Sequence, residues 1–162
     1  MTITDADIRR LRRCVDLAQE AFDDGDEPFG SILVADDGTE LFADRNRVSG
    51  GDATAHPEFA IARWAATHLS SQERTASTVY TSGEHCPMCS AAHAWVGLGR
   101  IVYASSSAQL QRWLAQCDAP PSPVAALPIR DVAPNLEVDG PVAEFAPTMR
   151  ELHHARVSRD AG

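Results

Sequence analysis

Two short segments far apart in the chain carry the residue types that do chemistry together, His56-Pro57-Glu58 and Cys86-Pro87-Met88-Cys89. In each, a group able to bind a metal directly precedes a proline, and a second polar group follows within the first turn of an expected helix. Proline disfavours helical geometry in the residue before it, and is itself well placed at the first helical position. His56 and Cys86 are therefore expected to be extended, just outside their helices. A helix N-terminus favours thiolates, so Cys86 and Cys89 are candidate ligands.

If the two helices lie side by side against a sheet, His56 can meet both sulfurs, giving three protein ligands and one vacant position. Zinc suits two thiolates and a neutral imidazole, and the two sulfurs cancel its formal charge. Water at the vacancy would be acidified from a pKa of about 9 towards about 7, an effect that two thiolates blunt. Glu58, beside the histidine but turned from it by Pro57, is the candidate to relay protons from that water to a ring nitrogen or a departing amine. Two other readings compete for the cysteine pair, a redox couple and a pair of buried small hydrophobes.

The rest of the chain must position these groups. Its 162 residues suit one domain with a core of its own, spanning 1–162 and including the C-terminal strand and helix segment at about 129–155. Hydrophobic residues make up 44% and charged residues 23%, the balance of a globular protein. No apolar run approaches the roughly 20 residues that span a bilayer, and MTITDADIRRLRR lacks a signal-peptide core, so the expected compartment is the cytoplasm. Fourteen basic against twenty-three acidic residues give a formal charge of -9, which disfavours nucleic acid as a partner. Arg9, Arg10, Arg12 and Arg13 read as a solvated helix face interleaved with acidic residues.

Hydrophobic periodicity predicts a helix over 4–24, with Thr4 and Asp7 as a capping box. Ser31 to Ala35 and Glu40 to Ala43 read as a hairpin turned at Asp37-Gly38. PEFAIARWAATHL reads as a second helix and STVYTS as a buried strand. Pro87 to Leu98 reads as a third helix, with Met88, Ala91, Ala92 and Trp95 as its apolar face and Gly99 as its stop. RIVYA is a strand, Ser107 to Gln116 a helix and 118–128 a proline-rich loop. IRDV and LEV look like strands before a last helix from about Val142 to His154. Strands alternating with helices after an opening hairpin predict an α/β fold with a mixed sheet. His68, His93, His153 and His154 are assigned to ordinary surface or helix positions, and Cys14 and Cys117 to burial.

His-x-Glu followed by Pro-Cys-x-x-Cys is the signature of zinc-dependent nucleobase deaminases, and the chain shows it with His85 in place of the leading proline. The similarity runs from PFGSILV through TAHPE, TVYTSGEHCPMC and RIVYA, so the chain resembles the cytidine deaminase-like superfamily, nearest its guanine deaminase and tRNA adenosine deaminase branch. That resemblance implies a three-layer α/β/α sandwich around a mixed five-stranded sheet, one Zn2+ per subunit and a homodimer. It implies His56, Cys86 and Cys89 as metal ligands and Glu58 as the catalytic proton shuttle. Asn46 resembles a base-orienting asparagine and Trp95 a purine-stacking tryptophan; Phe29, Ala55 and His85 complete the candidate substrate contacts. The expected substrate is a small heterocycle bearing an amino group, such as guanine, cytosine or an aminotriazine. A tRNA-specific adenosine deaminase and a non-catalytic zinc-stabilised binding module are the alternatives.

Overall fold

A computed structural model describes residues 2–160. In chain order the elements are α1 (Asp5–Asp23), β1 (Gly30–Val34), β2 (Glu40–Arg45), α2 (Pro57–His68), α3 (Ser71–Ala76), β3 (Thr78–Gly83), α4 (Pro87–Val96), β4 (Arg100–Ser105), α5 (Ser107–Ala115), α6 (Ile129–Val132), β5 (Val138–Asp139) and α7 (Ala146–Asp160). The sheet has five strands in the order β2-β1-β3-β4-β5. It is mixed: β1 runs antiparallel to β2 and β3, while β3, β4 and β5 are parallel. Helices cover both faces, the three-layer α/β/α arrangement that the sequence implied.

Strand alternation assigns the layers, because residues i and i+2 of a strand share a face. Ile32, Val34, Tyr80, Val102 and Ala104 pack against Leu11, Leu17 and Ala18 of α1 and Met149 and Leu152 of α7. Leu33 and Val79 face the other way, onto Ile61, Ala62 and Ala65 of α2. Each such fully buried aliphatic side chain contributes about 1.5–3 kcal/mol. The same alternation turns Ser31 and Thr81, opposite one another in the β1/β3 register, towards α2. The sheet thus delivers two hydroxyls to the layer that holds the candidate site.

Local chemistry fixes the element ends. The Thr4 hydroxyl accepts the Asp7 amide at 3.2 Å, and the Asp7 carboxylate accepts the Thr4 amide at 2.9 Å, the expected capping box. The β1/β2 turn closes through the Ala35 amide on the Thr39 carbonyl at 2.9 Å, with Gly38 at φ +91, a conformation that side chains resist. Helix α4 ends at Val96, with Gly97 at φ +73 as its left-handed cap, so the stop comes two residues before Gly99.

Other expectations need correction. IRDV is the helical turn α6, not a strand: Pro128 precedes it in an extended conformation, and four residues are too few for periodicity to separate the two. Of LEV, only Val138 belongs to a strand, paired in parallel with β4. The last helix starts at Ala146 after a 3-10 turn over Ala143–Phe145 and continues to Asp160. Helix α3 was not anticipated, although Ser70 and Glu73 form a capping box that announces it. Cys14 is buried as expected, whereas Cys117 is half-buried. Among the described residues, no helix is long and apolar enough to cross a membrane.

Candidate metal and active site

His56 and Cys86 are the residues immediately before α2 and α4, both extended, with prolines at the first helical position of each helix. Helices α2 and α4 pack against each other on one face of the sheet. This brings Nδ1 of His56 to 3.6 Å from Cys86 Sγ and 3.7 Å from Cys89 Sγ. A tetrahedral ion at about 2.3 Å from sulfur and about 2.0 Å from nitrogen requires nitrogen–sulfur edges of about 3.6 Å, which both His56–sulfur distances match. His56, Cys86 and Cys89 are the set of metal-capable side chains that converge among the described residues. The donor set, two sulfurs and one imidazole nitrogen, fits zinc.

Without a cation the two thiols share one charge. A hydrogen bond from Cys89, reinforced by His56, pushes the Cys86 thiol down to about 4. Cys89 moves the other way, because it donates to Cys86 and is buried beside Glu58. A bound divalent ion would hold both as thiolates. The same contact with Cys86 raises the His56 imidazole against the opposing effect of burial.

Glu58 lies in the first turn of α2 and is buried. Its Oε1 accepts hydrogen bonds from Thr81 Oγ1 at 2.7 Å and Ser31 Oγ at 3.0 Å. Its Oε2 lies 3.9 Å from Cys89 Sγ. Burial raises its carboxyl above the ordinary range, with the Thr81 hydrogen bond opposing. One oxygen is anchored and the other remains for proton exchange. Ser31 and Thr81 were not singled out in the sequence; the available signal was two hydroxyl residues at inward positions of buried strands.

A cavity of about 510 Å³ opens on this cluster, lined by Phe29, His56, Glu58 and Cys86 on one side and by α5 and 119–126 on the other. Phe29 lies over Gly83, where a Cβ would come within 2.8 Å of its ring, so the glycine allows the wall to close. Glu84 also lines the cavity. Its carboxylate accepts the Ser107 amide at 2.8 Å and the Ile129 amide at 3.0 Å, tying the starts of α5 and α6 to the loop before Cys86.

The other candidate contacts divide. Ala55 lines a smaller cavity of about 140 Å³ that also contains His56, with Arg47 and Arg63. Asn46 is fully buried, its Oδ1 accepting the Val48 amide at 3.0 Å while its NH2 group has no partner among the described residues. It does not line the larger cavity. Trp95 is 89% exposed and lies outside that cavity. The buried stripe of α4 is Cys89, Ser90 and His93, so the face expected from Trp95 is the outer one.

His85, a candidate substrate contact, is 1% exposed and sits edge-on to His93 with ring centroids 5.3 Å apart. It does not line the cavity. His93 is likewise buried, with Nε2 2.8 Å from the Gly99 carbonyl, and burial holds its ring down to about 4. His153 is buried against Phe29 and Trp113, rather than at the surface.

Residues 4–105 match the family model for the cytidine and deoxycytidylate deaminase zinc-binding region. A probable cytosine deaminase of Schizosaccharomyces pombe is 31% identical over 144 residues, 88% of each chain. The guanine deaminase of Bacillus subtilis is 34% identical over 96 residues, 59% of this chain and 62% of that protein. In fold, the chain is similar to a solved guanine deaminase from Nitrosomonas europaea, with TM-score 0.70 at 19% identity over 96% of this chain and 87% of that one.

Proposed function

Because the chain belongs to the family defined by the cytidine and deoxycytidylate deaminase zinc-binding region, we propose that it is a zinc-dependent hydrolytic deaminase of a small amino-substituted heterocycle, releasing ammonia. The substrate is a nucleobase, nucleoside or related ring such as guanine, cytosine or an aminotriazine. The observation that carries this reading is the placement of His56 Nδ1 at 3.6 and 3.7 Å from two cysteine sulfurs, with the Glu58 carboxylate beside one of them. His56, Cys86 and Cys89 would hold one zinc ion per subunit of a homodimeric, single-domain enzyme. When bound, zinc supplies Lewis-acid activation of water at neutral pH.

The chain's own groups do the rest. Ser31 and Thr81 hold Oε1, which points Oε2 of Glu58 into the site. That oxygen takes one proton from the attacking water and gives it to the ring nitrogen, then takes a second from the hydroxyl newly attached to the ring carbon and gives it to the amine, which leaves as ammonia while the carbonyl forms. Phe29 supplies an apolar wall of the larger cavity.

The test is ammonia release by zinc-loaded protein across aminopurines, aminopyrimidines and aminotriazines, with Glu58→Ala as control. The reading expects turnover of at least one ring, abolished in the variant while zinc is retained. Silence across the panel, or undiminished turnover in Glu58→Ala, overturns it. A tRNA substrate is not favoured, because none of the chain's fourteen basic residues lines the larger cavity.

A further inference from the structure

The larger cavity is deeper than a bare ring requires. A nucleobase is about the size of an indole side chain, whereas a volume of about 510 Å³ falls among pockets that enclose drug-sized ligands. Beyond Phe29, His56, Glu58 and Cys86, the lining includes Leu110, Leu114, Pro120, Pro121, Val124 and Ala126 of α5 and the following loop. Val124 is 53% exposed, an apolar side chain left uncovered beside the cavity. The wall is held at both ends: one carboxylate, Glu84, accepts the amides at the start of α5 and of α6, so the segment between them is anchored to the loop before Cys86.

The charge of the lining is equally selective. Its carboxylates are Glu58 and Glu84, and no arginine lines it. A phosphate on the substrate would meet negative groups without a counter-charge in a partly desolvated space. Arg47 and Arg63 line the smaller cavity, which shares His56 with the larger one, and Arg47 is already paired with Asp44 at 3.1 Å.

We infer that the substrate is an uncharged amino-heterocycle carrying an apolar substituent, which lies along α5 and the 119–126 loop. This rests on the deaminase reading of the same site, and it narrows the substrate from a bare or phosphorylated base to a hydrophobically extended ring. The amino-bearing carbon faces Glu58, and the substituent covers Leu110, Leu114 and Val124.

Two measurements on zinc-loaded protein separate this inference from the reading beneath it. In the first, kcat/KM for ammonia release is compared between cytosine, 1-benzylcytosine and cytidine 5′-monophosphate, and between guanine, 9-benzylguanine and guanosine 5′-monophosphate. The benzyl compound should exceed its parent ring at least tenfold, as burial of apolar groups in a fitted pocket gives about 10-fold or more per group. In the second, calorimetry compares pyrimidin-2-one with 1-benzylpyrimidin-2-one, which carry no amino group to lose. The benzyl compound should bind at least tenfold tighter.

Leu114→Asn and, at the exposed position, Val124→Asp should each bring both ratios towards one; Val124 is exposed, so folding is not at stake there. Equal or weaker binding and turnover of the benzyl compounds overturns the inference and leaves the deaminase reading intact. A preference for the monophosphates also overturns it and directs attention to Arg47 and Arg63. Tenfold tighter binding with no turnover of any ring supports the inference about the cavity while defeating the deaminase reading.

Discussion

Thr81 donates a 2.7 Å hydrogen bond from its hydroxyl to Oε1 of Glu58, from a strand position directly opposite Ser31. The bond does two things: it fixes the carboxylate rotamer, and it stabilises the ionised form against a burial that raises the carboxyl's pKa. Thr81→Val preserves shape but deletes the donor. Turnover should fall about 10- to 100-fold, the usual cost of removing a group that orients a metal-site residue. With the stabilising bond gone, the Glu58 pKa rises further, so the acidic limb of kcat/KM against pH should move to higher pH. An unchanged limb would reduce Thr81 to a packing residue.

Glu58→Gln keeps the size of the side chain and both hydroxyl contacts but cannot carry the proton. Zinc content should stay at one per chain, while turnover falls about 100- to 10,000-fold, the range for a general acid–base group. Atomic absorption alongside steady-state kinetics reads both, and loss of zinc in parallel with activity would recast Glu58 as a ligand.

The metal-free protein should show unequal cysteines. Cys86, pushed down to about 4 by its hydrogen bond from Cys89 and by His56, is the thiolate at neutral pH, whereas Cys89 keeps its proton and is buried. Alkylation at pH 6 followed by peptide mass spectrometry should label Cys86 before Cys89 and Cys14. Zinc loading should protect Cys86. Simultaneous labelling of Cys86 and Cys89 would contradict this arrangement.

Acid should unfold the protein in two stages. Burial holds His93 down to about 4 and His153 to about 3, below the ordinary histidine value of 6.5. The unfolded chain therefore binds protons that the folded one refuses; stability is full above about pH 6.5 and declines as pH falls towards the folded values. Below that, Asp7 contributes. Burial opposes its ionisation, but hydrogen bonds from Tyr80, Thr4 and Arg100 hold it below the ordinary carboxylate value, so its contribution is present above the unfolded pKa and lost as pH falls through the folded one. Urea unfolding from pH 8 to 3 measures both stages, and His153→Phe should flatten the first. A stability curve level from pH 7 to 5 would contradict the buried-neutral histidines.

Arg100 joins Asp7 at 3.1 Å and Asp139 at 2.7 Å, linking α1 to the strand pair β4/β5. Arg100→Met leaves the buried Asp7 charge without that partner, at a cost of about 3–5 kcal/mol at pH 7. Thermal and urea unfolding check it, and a loss below about 1 kcal/mol would show that the pair is screened like a surface bridge.

The metal cluster was legible because proline fixes backbone geometry locally: His56 and Cys86 had to be extended and Glu58 and Cys89 helical, whatever the tertiary context. The strand hydroxyls Ser31 and Thr81 were accessible in principle from alternation within buried strands, but only strand register shows that they meet. Trp95 is exposed because the inward stripe of α4 is Cys89, Ser90 and His93, two of them polar, so apolar periodicity did not point to the buried side. His85 sits in a loop, where no period applies, and its burial depends on His93, from a turn later in the chain. Glu84 has no sequence signal, since both its partners are backbone amides brought to it by the fold.

The account stands on one nitrogen and two sulfurs sharing a zinc ion, which X-ray absorption at the zinc edge reads directly on metal-loaded protein. It predicts two sulfur scatterers at about 2.3 Å and a nitrogen and oxygen shell at about 2.0–2.1 Å, with one sulfur lost in Cys86→Ala or Cys89→Ala. A shell of oxygen and nitrogen alone, or one unchanged by either substitution, would contradict it.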